Sequence, residues 1–285
     1  MRWLGQRESD NVDDRRGGGG GGLLVGGGIG TVVIAVIVML LGGDPSDILN
    51  QSAPTQQVSE APTGPQPDDA AAHFTRKVLG STEDVWTQLF AKEGAQYRKP
   101  TLVMFRGVTS SGCGTAQQAM GPFYCPLDEK VYIDLSFYDE LSQRFGATGD
   151  FANAYVVAHE IGHHVQKLMG IMDKTDALRE RLSQRDYNKV SVRLELQADF
   201  LAGVWAHYAQ GKSFDFDPGD IEEALTAANA IGDDKIQEET QGRVVPDAFT
   251  HGTSAQRVYW FKKGLKTGDI NQGDTFNSRE DANLQ

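Results

Sequence analysis

His159-Glu160-Ile161-Gly162-His163 sets two imidazoles four residues apart, with a carboxylate directly after the first. On a helix, residues four apart share a face, so both rings can grip one ion. Glu160 sits beside that face, within reach of a water on the ion. The pattern has the form of the helical zinc-peptidase motif. It predicts one catalytic Zn2+, with His159 and His163 as ligands and Glu160 as general base. A catalytic zinc takes three protein ligands and keeps a position open, so a third donor must come from elsewhere.

A three-histidine site of the metzincin type would need Gly at 166 and His at 169. Those positions hold Gln166 and Met169, which excludes that class. Downstream, Glu195 and Asp199 are again four apart in an otherwise apolar segment. Buried charge is costly unless paired or bound to metal. A thermolysin-like arrangement supplies the reason: Glu195 ligates zinc, and Asp199 holds the far ring nitrogen of a ligand histidine. The exchanged assignment, with Asp199 as ligand, stays open at this stage. Zinc lowers the pKa of its water toward ~7 and polarises a scissile carbonyl. Glu160 would take the water proton and pass it to the leaving amine. The oxyanion needs a second donor, and His251 is the candidate. His164 points away from the ligand face and reads as a packing or surface residue. His207 reads as core or surface, and His73, at the domain edge, is given no role.

These side chains need helices beneath them. Asp150 or Asn153 opens the motif helix and Gly170 closes it. Helices are expected over 81–92 with Ser81 or Thr82 as N-cap, and over 137–145, 173–182, 190–210, 220–239 and 254–265. Strands are expected at 101–105 and 131–135. The second is expected to offer an edge on which an extended substrate could align. The last fifteen or so residues are polar and read as frayed. The fold class expected is α+β and mostly helical, a zincin-like domain over 73–270 with a small sheet and a polar tail over 271–285.

The N-terminal part reads differently. Residues 1–22 end in a glycine run and read as a cytoplasmic tail. Residues 23–43 carry no charge, enough for one transmembrane helix, since about 20 apolar residues span a bilayer core. Arg15 and Arg16 precede the segment and Asp44 and Asp47 follow it, so the domain is expected on the far side of the inner membrane, periplasmic or extracellular. A cleaved signal peptide would differ only in leaving the domain secreted. Residues 44–72, rich in Pro, Gln, Ser and Asp, read as a disordered linker. On the far side of a membrane the two cysteines, Cys113 and Cys125, read as a disulfide. The formal net charge of −12, without a basic stripe, argues against nucleic acid.

The stretches Cys113-Gly-Thr, Gly121-Pro-Phe-Tyr-Cys-Pro126, His159-Glu-Ile-Gly-His-His-Val-Gln166, Glu195-Leu-Gln-Ala-Asp-Phe200 and His251-Gly-Thr-Ser-Ala-Gln-Arg257 carry a resemblance. Together they resemble the putative neutral zinc metallopeptidase family of bacterial membrane proteins over nearly the whole chain. The resemblance implies zinc and peptidase activity. The Glu-x-x-Ala-Asp and His-plus-Arg pattern is also similar to membrane-bound gluzincins that include the prenyl-protein proteases. By that analogy His251 and Arg257 would shape the substrate cleft. The expectation is a membrane-anchored zinc endopeptidase acting on a peptide or protein. The alternative is a non-catalytic, zinc-binding scaffold in an envelope complex, which four protein ligands instead of three would mark.

Overall fold

A computed structural model describes residues 1–3, 5–16 and 69–284, apart from Phe145, Gly242 and Arg243. The chain begins with strand β1 (Val12–Asp14), and helix α1 spans Ala70–Lys92. Then come β2 (Thr101–Phe105), the hairpin strands β3 (Val108–Ser111) and β4 (Gly114–Gln117), β5 (Phe123–Cys125) and β6 (Lys130–Asp134). The rest is helical: α2 (Phe137–Gln143), α3 (Asp150–Leu168), α4 (Ile171–Arg179), α5 (Gln184–Ala209), α6 (Pro218–Ala230), α7 (Asp233–Gln241) and α8 (Ser254–Thr267).

Four strands form a sheet in the order β1-β2-β6-β5. β2 runs parallel to β1 and to β6, and β5 runs antiparallel to β6. The Val131–Leu135 region was expected to offer an open edge, and this is corrected. β6 pairs with β2 along Lys130–Asp134 and with β5 over Lys130, Val131 and Tyr132, so it is an inner strand and only its last residues keep one side unpaired. The edges of this sheet are β1 and β5, each three residues long and too short to stand out by alternation. A disulfide joins Cys125 at the end of β5 to Cys113 in the β3–β4 turn.

Helix α3 is buried almost all round, through Phe151, Ala154, Tyr155, Val157, Ala158, Ile161 and Val165. A helix apolar on every side belongs in the core, which takes both motif histidines inside. Gly170, with φ 70°, stops the chain just after the helix. Two close helix crossings set the site. A Cβ on Gly162 would lie 2.9 Å from Ala198 O, so only glycine lets α3 approach α5 at this point. A Cβ on Gly264 would lie 2.0 Å from Phe200 O, which brings α8 equally close to α5. Helix α5 is thereby sandwiched by the two elements that serve it.

Several expectations are corrected. Helix α1 starts eleven residues before Ser81, at Ala70, where the Asp69 side chain accepts from Ala72 N. Ser81 lies mid-helix and accepts from Trp205 Nε1, a contact that no local pattern announces. The helix expected over 220–239 is two, α6 and α7, broken at Gly232, where a Cβ would meet Ser254 N at 2.5 Å. The C-terminal residues are not frayed: Arg193 pairs with buried Asp281 at 2.7 and 2.8 Å, and Thr253 Oγ1 donates to Leu284 O.

The largest correction concerns the N-terminus. Residues 1–16 do not form a free tail. β1 joins the sheet, Val12 opposite Leu102, and Glu83 of α1 accepts from Arg7, Ser9 and Asn11. Arg16 reaches Asp69 at 3.0 Å. Chain before residue 17 and chain after residue 68 therefore belong to one body. A single crossing between them would place β1 and β2 on opposite sides of a bilayer, which their hydrogen bonds forbid. The expected transmembrane helix over 23–43 and most of the linker over 44–72 fall outside the described residues; 70–72 open α1. Among the described residues, no helix is long and apolar enough to cross a membrane. The single-pass fold and the placement in the inner membrane, with N-terminus and domain on opposite sides, are thus overturned. The described fold is mostly helical with two small sheets.

Candidate metal centre

Helix α3 presents His159 and His163 to helix α5, which presents Glu195 and Asp199. His159 Nε2 stands 3.1 Å from Glu195 Oε2, and His163 Nε2 stands 3.5 Å from Glu195 Oε1. One donor atom from each of the three lies within 4.8 Å of the others. Four-coordinate zinc with bonds of about 2.0–2.1 Å separates its ligands by about 3.3 Å. Two imidazole nitrogens and one carboxylate at these separations fit such an ion. Among the described residues no fourth His, Cys, Asp or Glu joins the group.

The far sides of the rings are also occupied. His159 Nδ1 lies 2.9 Å from Asp199 Oδ1, and His163 Nδ1 lies 2.9 Å from Gln166 Oε1. These contacts turn both Nε2 atoms toward Glu195. Asp199 also accepts from Tyr155 OH, from Arg257 Nε at 2.8 Å and from the Arg257 NH2 group at 3.0 Å. Both its oxygens are engaged behind His159. Glu195 is therefore the carboxylate of the donor group, and Asp199 the one that orients a ring.

Electrostatics follow from this burial. Burial alone would raise Glu195, yet the two histidines hold it well below the carboxylate range. Burial works against a charged His159, but Asp199 and Glu195 prevail and push the ring up to about 10. His163 is likewise raised by Glu195 against its burial. Asp199, whose burial is outweighed by Arg257 and His159, is pushed down to about 2. Glu160 differs. Burial raises its carboxyl above the ordinary value, it is 8% exposed, and among the described residues it has no hydrogen-bond partner.

The remaining histidines separate cleanly. His251 belongs to the site's edge. Its Nδ1 lies 3.1 Å from Asp233 Oδ1, and its ring is close enough to Glu195 for the two charges to shift one another. Burial would lower the His251 pKa, but Asp233 and Glu195 raise it. His164 is fully buried between Tyr124 OH at 3.1 Å and Arg98 O at 2.6 Å, a satisfied core residue. His207 bonds Leu265 O, and His73 bonds Glu8. Arg257 is corrected: at 2% exposure it lies beneath the site and cannot line a cleft. Asp233 was missed altogether. Its Oδ2 accepts from the backbone N–H of Thr250, His251 and Gly252, so it builds the loop that carries His251. In sequence it falls inside the helix expected over 220–239, where nothing local singles it out. Tyr155 was legible in principle, one helical turn before His159 on the same face.

Two helices crossing at a glycine bring together a His-His-Glu group that could hold a metal ion, with the buried Glu160 carboxylate beside it. The chain belongs to the family described as "Putative neutral zinc metallopeptidase", which matches residues 1–276. It is 50% identical over 285 residues to "Uncharacterized protein YpfJ" of Escherichia coli K12, covering 97% of this chain and 99% of that one. It is 39% identical over 260 residues to "Uncharacterized protein Rv2575" of Mycobacterium tuberculosis H37Rv, covering 84% and 85%. No solved structure matches the chain.

Proposed function

We propose that this protein is a zinc-dependent endopeptidase that hydrolyses peptide bonds with Glu160 as general base. The observation that carries the reading is the pairing of a three-donor group with a buried carboxylate that has no partner of its own. A structural metal site would take a fourth protein donor and has no use for a general base. Bound at His159, His163 and Glu195, zinc would supply Lewis acidity toward a carbonyl and make water more acidic. Glu160 then receives the proton of the attacking water and returns it to the leaving nitrogen. His251, its Nδ1 committed to Asp233, offers Nε2 to the developing oxyanion, the preorganised donor such a step needs. Asp199 and Gln166 keep the ligand rings turned. The substrate is an extended peptide, and β5, one of the sheet's two edges, is a strand on which it can pair.

The test compares full-length protein with the Glu160→Gln variant, which keeps shape and removes the base. Both are assayed for zinc content and for cleavage of a mixed peptide library. The expected result is equal zinc in both and a loss of cleavage in the variant of about 10²- to 10⁴-fold. Equal cleavage by both proteins would refute the assignment of Glu160. A zinc-loaded wild-type protein that cleaves nothing in the library would favour the scaffold reading instead.

A further inference from the structure

His159 and His163 are held by different chemistries. His159 leans on a carboxylate, whereas His163 leans on an amide. Gln166 follows His163 by three residues on α3 and is fully buried. Its Oε1 lies 2.9 Å from His163 Nδ1. Its Nε2 donates to Leu194 O at 2.7 Å and to Gln197 Oε1 at 3.1 Å. Gln197 Nε2 donates in turn to Gly273 O at 2.8 Å. A main-chain carbonyl only accepts. Leu194 O therefore dictates that Gln166 turns its Nε2 to α5 and its Oε1 to His163, and Gly273 O orients Gln197 by the same rule. Facing an acceptor, His163 Nδ1 must carry the ring proton. That reserves Nε2, the atom beside Glu195, as the nitrogen that gives up its proton to a metal.

We propose that Gln166 and Gln197 are positioning residues that form an amide relay from the C-terminal segment at Gly273 to the metal-facing nitrogen of His163. The relay sets the tautomer and rotation of that ring. It also ties α3 to α5 at Leu194, the residue before Glu195, so the two ligand-bearing helices are pinned beside the donor group. Each amide in the chain orients the next, and Gln197 acts only through Gln166. The inference rests on the reading of His159, His163 and Glu195 as a metal site and does not depend on peptidase activity.

The experiment uses the full-length protein and measures Zn2+ affinity by competition with a chromophoric chelator. The visible absorption of the Co2+-substituted protein is recorded alongside. Wild-type protein that binds no Zn2+ would overturn both the metal site and the relay. With wild-type binding in hand, Gln166→Leu is expected to bind Zn2+ roughly 10- to 100-fold more weakly, with displaced Co2+ bands. Gln197→Ala is expected to bind measurably more weakly, by up to about tenfold, and the double variant to bind no more weakly than Gln166→Leu alone. A folded Gln166→Leu with wild-type affinity and spectrum overturns the relay while leaving the metal site standing. A lowered melting temperature without those changes does the same, since it marks a purely structural role. Additive losses in the double variant also overturn it. If Gln166→Leu does not fold, Gln197→Ala decides, and unchanged affinity there refutes the proposal.

Discussion

Arg257 closes on Asp199 through two hydrogen bonds, Nε to Oδ2 at 2.8 Å and the NH2 group to Oδ1 at 3.0 Å. The guanidinium is 2% exposed and the carboxylate not at all. The pair stands directly behind His159, whose Nδ1 meets the same Oδ1. Arg257 therefore lies beneath the candidate metal centre and fixes the charge and direction of Asp199. It also bonds Ile231 O, which ties α8 to the turn ahead of α7.

Truncation of Arg257 strands a buried carboxylate. Breaking a buried pair by removing one partner costs about 3–5 kcal/mol. Arg257→Ala should unfold at correspondingly lower denaturant, and its zinc affinity should fall because Asp199 no longer has one fixed orientation. Chemical denaturation with chelator and with zinc separates the two effects. A change confined to substrate turnover would return Arg257 to the cleft.

Glu195 and Asp199 make distinguishable claims on zinc. Glu195→Ala removes a donor and should leave purified protein with well under a full zinc complement. Asp199→Asn keeps an acceptor for His159 and should weaken zinc binding by about 10- to 100-fold. Elemental analysis and chelator competition measure both. Full zinc in Glu195→Ala, beside zinc-free Asp199→Ala, would exchange their roles.

The N-terminal arm should detach in acid. Burial favours a neutral Glu83, but Ser9, Arg7 and Asn11 hold its carboxyl below the ordinary value. A depressed carboxyl contributes stability that is fully present above its unfolded pKa. The contribution is lost as pH falls through the lower folded value. Protection factors of the β1 amides, corrected for intrinsic exchange, should hold at neutral pH and fall below the usual carboxylate range. Glu83→Gln should weaken that protection at neutral pH and flatten its pH dependence. An arm whose protection ignores both pH and the substitution would show that Glu83 does not secure it.

The disulfide should contribute to stability more than to the site. It joins residues 12 apart in sequence, and closing a loop of that size is worth about 3 kcal/mol in the chain-entropy model. Cys113→Ser with Cys125→Ser should lower denaturation stability by about that amount, with zinc stoichiometry unchanged. Loss of zinc in a folded double variant would tie the β3–β4 hairpin to the metal centre.

The parts of this protein legible in its sequence are those with a helical period. His159 and His163, and then Glu195 and Asp199, announce themselves by spacing alone, because residues four apart meet on one helix face whatever surrounds them. Apolar periodicity likewise placed most of α3, α5 and α8. Tertiary structure decided what spacing could not. Glu195 and Asp199 are equivalent by period; Arg257, 58 residues further on, engages one and leaves the other to the histidines. The polar residues 1–16 carry no apolar pattern, so their place in the sheet follows from backbone pairing with β2 and from one buried carboxylate on α1. Asp233 finds His251 only because the chain turns back between α7 and α8. Such contacts join residues far apart in sequence, where no local repeat records them, and they exist only once the helices have packed.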